Sequence, residues 1–183
     1  MKLLNKEKLI TKEVTMKINY GKNQISRNKT ASLNKPLTQV VPTIQINGLK
    51  NNEYSCLIMS DPNAVGGNRI HWLVVNIVGN NILTGTSLFT YVGPNPPINT
   101  EIHHYIFSLY VTKKFFSKEE IYKMEDMLSL IKINKNNNRQ KEINDILNIV
   151  DKYAEFLTSV YFTIDSNMNG KRTGKRTGKR TIN

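Results

Sequence analysis

One stretch limits the choice of fold more than any other. Residues 70–78 read Ile-His-Trp-Leu-Val-Val-Asn-Ile-Val, β-branched and apolar at alternate and intervening positions alike. Side chains along a strand point to opposite faces in turn, so a strand of this kind needs cover on both faces. It belongs at the centre of a layered protein. At about 1.5 Å per helical residue the run is also far too short to cross a bilayer as a helix.

The remaining pattern supplies partners for that strand. Residues 14–19, Val-Thr-Met-Lys-Ile-Asn, alternate with the period of a half-buried strand. Residues 20–35 are polar and read as a long surface connection. Residues 40–46 read as an edge strand because Pro42 lacks an amide to donate, and Asn47-Gly48 follows as a turn. Residues 54–59 form a short apolar strand that ends at Ser60-Asp61-Pro62, and residues 103–111 form another, rich in aromatic and β-branched types.

Character changes after Thr112. Ser117-Lys118-Glu119-Glu120 is a capping box, and Ile121, Met124, Leu128 and Ile131 then share one helical face. Ile143, Ile146, Leu147, Val150 and Ala154 form a second helical stripe. Residues 156–164 suit a helix or a strand, with a strand favoured for 160–164. Strands first and helices late, without βαβ alternation, point to a mainly β, antiparallel two-sheet sandwich with peripheral C-terminal helices.

The chain has 183 residues, enough for one domain. The domain expectation is a body over 13–165, an N-terminal extension over 1–12 and a basic tail over 166–183. Gly-Lys-Arg-Thr occurs three times over residues 170–181, and its six cations make up half of the net charge of +12. A segment without apolar residues is expected to be disordered, with non-specific attraction to nucleic acid or an anionic membrane. The first eleven residues mix charges into apolar positions, unlike a signal peptide. The single cysteine, Cys56, excludes an internal disulfide and suits a reducing, cytoplasmic setting. Heavy use of Asn, Lys and Ile suggests an AT-rich genome; for a viral source the setting would be the host cytoplasm.

Chemistry-bearing residues gather at strand ends. Asp61 closes one strand, His71 opens the next, and alternation puts His103 and Tyr105 on one face with His104 on the other. Taken alone, these residues also suit plain structural roles. Four blocks in order carry a resemblance. Met59-Ser60-Asp61-Pro62-Asn63-Ala64, the strand His71-Trp72-Leu73-Val74-Val75-Asn76-Ile77, the loop Tyr91-Val92-Gly93-Pro94-Asn95-Pro96-Pro97, and Ile102-His103-His104-Tyr105 together resemble the signatures of the phosphatidylethanolamine-binding proteins. That family includes kinase regulators of animals and flowering regulators of plants.

The resemblance implies a large antiparallel sheet packed on a smaller one, and a shallow pocket for phosphate, a phosphorylated head group or a phosphorylated protein segment. It places the pocket residues at Asp61, His71, His103 and Tyr105, with Pro62, Val65, Arg69, Gly93 and Pro94 at the rim. It implies a non-enzymatic regulatory protein with no cofactor or metal, meeting a protein partner such as a kinase. Departures fall at Asn63, an aspartate in the family, at Val65, where a proline is usual, at Arg69, where tryptophan is expected, and at His104 in place of arginine. The Ala64–Val65 bond is accordingly expected to be trans, with Gly66 and Gly67 free to re-route the loop. His103→Ala is expected to remove binding and spare the fold.

Three alternatives remain: a zinc site built on the histidines and the aspartate, a hydrolase using Ser60 or Ser108, and a nucleic-acid accessory protein working through its tail.

Overall fold

A computed structural model describes residues 13–133 and 154–167. The N-terminal extension over 1–12, the stripe residues Ile143, Ile146, Leu147 and Val150, and the Gly-Lys-Arg-Thr repeats lie outside the described residues.

Nine strands and one α-helix make up the described architecture: β1 Thr15–Tyr20, β2 Asn23–Ser26, β3 Ala31–Ser32, β4 Thr43–Asn47, β5 Tyr54–Asp61, β6 Arg69–Val78, β7 Thr86–Phe89, β8 His103–Thr112, α1 Lys118–Ile133 and β9 Ala154–Ile164. They form a three-stranded sheet, β2-β1-β4, and a six-stranded sheet, β3-β9-β8-β5-β6-β7. Pairing is antiparallel except where β3 runs parallel to β9.

Both faces of the larger sheet are covered, which explains the doubly apolar β6. One face packs Leu57, Met59, Ile77, Phe107 and Phe162 against Met16, Ile18, Tyr20 and Ile44 of the smaller sheet. The other packs Ile58, Ile70, Val75 and Leu88 with Phe116 and Met124 from the α1 region. Burying a Leu, Ile, Val or Phe side chain is worth about 1.5–3 kcal/mol, so this double cover holds β5, β6 and β8 rigidly where their ends form the site.

The helix starts as its capping box requires: the Glu120 amide donates to Ser117 Oγ at 3.3 Å, and the Ser117 amide donates to Glu120 Oε2 at 3.0 Å. Met124 is buried; the side chains of Leu128 and Ile131 fall outside the described ones. Asn76, the interruption in the apolar run, has a positive φ of 58°. Its amide nitrogen donates to the Phe116 carbonyl at 2.9 Å, and its oxygen accepts from the Phe116 amide at 2.8 Å, clamping the approach to α1 onto β6. Asparagine tolerates that backbone region better than most residues.

Several elements differ from expectation. The segment 20–35 is no plain connection: Gly21, at a φ of 57°, turns β1 into β2, whose Ile25 is fully buried, and β3 then joins the edge of the larger sheet. β4 begins only after Pro42 and does occupy an edge. β7 is an additional edge strand that the sequence pattern missed. The ambiguous stretch is a strand, and it is longer than expected: Ala154, assigned to the second helical stripe, opens β9. Its pairing with all ten residues of β8, across one irregularity, prevails over the helical spacing.

Candidate functional site

Three strand ends meet at one edge of the larger sheet. Asp61 is the last residue of β5, Arg69 the first of β6, and His103 the first of β8. The β5–β6 register sets Asp61 opposite Arg69, and alternation carries the same face on to His71. Along β8 it joins His103 to Tyr105 and turns His104 away. These side chains line a cavity of about 110 Å³ together with Ala64, Val65, Asn95, Pro96 and Pro97.

The four expected pocket residues therefore come together, as do Val65 and Arg69 of the expected rim. Pro62, Gly93 and Pro94 do not line the cavity. Pro62 is exposed on the turn after β5. Gly93 is needed elsewhere: a Cβ there would stand 2.7 Å from the Thr38 carbonyl oxygen and 3.0 Å from Gln39 Cα. The Pro94 carbonyl accepts from Gln39 Nε2 at 2.9 Å, and the Tyr91 hydroxyl donates to the Thr38 carbonyl at 2.7 Å. Those contacts pin the loop's first half, so that its second half, Asn95 to Pro97, reaches the cavity. The Ala64–Val65 bond is trans, and Gly66 and Gly67 both take positive φ, at 86° and 107°.

Asp61 is the hub of the buried side. It is 2% exposed, and its Oδ2 accepts from His103 Nδ1 at 2.7 Å while Oδ1 accepts from the Asn63 amide at 2.9 Å. The Tyr105 hydroxyl lies close enough to this carboxylate for the two to interact. Burial, and then the Asp61 charge, push the Tyr105 pKa well above that of an ordinary phenol.

His103, whose loss the fold was expected to tolerate, is built into the buried side of the site. It is 2% exposed, and both ring nitrogens are engaged, Nδ1 by Asp61 and Nε2 by Thr100 Oγ1 at 3.0 Å. The Thr100 hydroxyl gives its own proton to the Pro97 carbonyl at 2.8 Å, which leaves Oγ1 to accept from Nε2.

His71 differs. Its Nδ1 lies 2.8 Å from the Val92 carbonyl, and the Val92 amide returns a bond of 2.8 Å to the His71 carbonyl. The ring is packed edge-on against Tyr105 with centroids 5.2 Å apart. Nε2 is buried with no hydrogen-bond partner among the described residues. Burial pushes the His71 pKa below that of an ordinary imidazole; the Val92 bond works against that shift, and the Arg69 charge adds to it. A polar atom in that situation is costly unless something completes it. His104, on the other face, donates its backbone amide and Nδ1 to Asn63 Oδ1 at 3.1 and 3.0 Å. Asn63, a departure from the resemblance, thus staples the turn after β5 to β8.

No group of three or more His, Cys, Asp or Glu side chains among the described residues is arranged to hold a metal ion. Ser60 and Ser108 occupy the strand positions that point away from the cavity. No described helix is long and apolar enough to cross a membrane.

A family model described as "Phosphatidylethanolamine-binding protein" matches residues 10–148. The chain belongs to the phosphatidylethanolamine-binding protein family. A 26 kDa secreted antigen of Toxocara canis is 41% identical over 75 residues, covering 38% of this chain and 28% of the antigen, so the match spans just over a quarter of that relative's length. Among solved structures, the phosphatidylethanolamine-binding protein of Plasmodium falciparum superposes with a TM-score of 0.59 at 17% identity, covering 88% of this chain and 90% of the other. The carboxypeptidase Y inhibitor, solved with its cognate proteinase, gives 0.61 at 16%, covering 85% and 84%. At such identities the two structures speak for the fold alone.

Proposed function

We propose that this family member is a non-enzymatic binding protein whose pocket takes a phosphate-like anion, either free or as a phosphorylated head group. The observation that carries the reading is the buried, unpartnered Nε2 of His71, a residue that lines a small polar cavity. A protonated imidazole there gives a phosphate oxygen a charge-assisted bond, and a neutral one accepts the proton of a monoprotonated phosphate. Arg69 adds positive charge at the same wall. The volume lies well below the roughly 300–1,000 Å³ of sites that enclose drug-sized ligands, so an ion or head group fits and lipid chains stay outside.

The absence of chemistry is part of the proposal. Asp61 is engaged by His103, Asn63 and Tyr105, which makes it a poor general base, and the nearby serines face away. We further propose a regulatory role with a protein partner such as a kinase, in the cytoplasm, where a lone buried Cys56 is at ease. The basic repeats would add non-specific attraction to nucleic acid or an anionic membrane.

Inorganic phosphate titrated into chelator-treated protein, followed by the imidazole nitrogen resonances, tests the reading. His71 should shift most and saturably, and His104 least. No saturable change at His71 would remove the proposal.

A further inference from the structure

Arg69 gives this pocket a charge balance of its own. It opens β6 directly across from Asp61, yet Asp61 pairs with His103 instead. Arg69 forms no ion pair with any described residue, and it lines the cavity together with His71. The same charge acts on both His71 and Tyr105. Asp61 is the one acidic residue among those lining the cavity, and its carboxylate is already engaged by the His103 ring and the Asn63 backbone amide, with the Tyr105 phenol beside it. The cavity wall therefore presents one uncompensated cation and no carboxylate able to receive another positive group.

We infer that Arg69 sets the ligand class: the pocket selects a phosphate or phosphomonoester with no ammonium group beside it and discriminates against the zwitterionic phosphorylethanolamine. This rests on the proposed anion-binding reading and goes beyond it. An ethanolamine ammonium, only two carbons from its ester oxygen, must lie near the mouth once the phosphoryl group is seated on His71. There it meets Arg69, a like charge. Ethyl phosphate presents the same phosphoryl group and two-carbon arm without the ammonium, so the pair of ligands isolates the charge.

Calorimetric titration of the full chain with inorganic phosphate, ethyl phosphate and phosphorylethanolamine, for wild type and Arg69→Gln, decides the matter. Wild type should bind ethyl phosphate about three- to fivefold more tightly than phosphorylethanolamine, the upper end of what one partly exposed charge pair supplies. The preference should narrow at raised ionic strength. Arg69→Gln, with an unchanged thermal midpoint, should bring the two within about twofold of each other, chiefly by weakening ethyl phosphate. Ethyl phosphate binding above inorganic phosphate supports an ester as the ligand, and the reverse supports the free ion; the selection by Arg69 stands in either case. Phosphorylethanolamine binding as tightly as ethyl phosphate would overturn the inference and leave the anion site standing. No binding of any of the three would remove both.

Discussion

Replacing His103 by alanine should damage the fold as well as the pocket. His103 and Asp61 are each 2% exposed, and their contact of 2.7 Å is the buried imidazole–carboxylate pair of the site. Removing one partner of such a pair leaves a charge stranded in low dielectric and typically costs about 3–5 kcal/mol. The Thr100 hydroxyl loses its imidazole as well. Against a total stability of roughly 5–15 kcal/mol this is a large fraction, and for a chain of this size it lowers the midpoint by roughly 6–20 °C. Urea unfolding of wild type, His103→Ala, Asp61→Ala and the double variant measures it. The double variant should cost less than the sum of the singles, because removing both partners leaves no stranded charge. A cost for His103→Ala below about 1 kcal/mol, in the range of surface substitutions, would refute the buried-pair argument.

Other expectations follow from the same contacts. Asn76→Ala removes both bonds to Phe116 and the residue type suited to positive φ; a loss of about 2–4 kcal/mol is expected, with faster hydrogen exchange at the Phe116 amide, and unchanged exchange there would contradict the clamp. His71, whose pKa burial depresses, should make stability pH-dependent. Below an unfolded pKa of about 6.5 the unfolded chain takes up a proton that the native ring resists. The stability it contributes is present above that value and lost as pH falls toward the folded pKa. Between about pH 7.5 and 5.5, wild type should lose stability that His71→Phe does not, and parallel curves for the two would count against the buried neutral ring.

Legibility varied with the kind of signal. The β6 run and the alternation along β8 depend on burial across a wide sheet, a strong pattern that local sequence carries in full. Hence His103 and Tyr105 could be set on one face and His104 on the other. The capping box is local chemistry and was equally readable. Short edge strands such as β2, β3 and β7 bury few side chains, so their sequences resemble loops. Ala154 was misplaced because helical spacing is a local cue, and pairing with β8 is a distant one. At the site, strand periodicity says which face a residue occupies and nothing of what it bonds. Thr100 sits in the loop before β8, outside any periodic element, so its claim on His103 Nε2 left no trace in the pattern. The difference between the two buried histidines, His103 bonded at both ring nitrogens and His71 with Nε2 left over, follows from that one hydroxyl and from the Val92 carbonyl.

The central claim is that His71 Nε2 is the group that meets the ligand. His71→Phe retains the ring shape against Tyr105 and removes both nitrogens, and Val92, whose carbonyl loses its partner, is an exposed residue. Hydrogen bonds to charged groups are worth about 1.5–3 kcal/mol, so calorimetry with inorganic phosphate should show His71→Phe binding at least about tenfold more weakly than wild type. Wild-type binding as strong in His71→Phe, with the thermal midpoint preserved, would contradict the account.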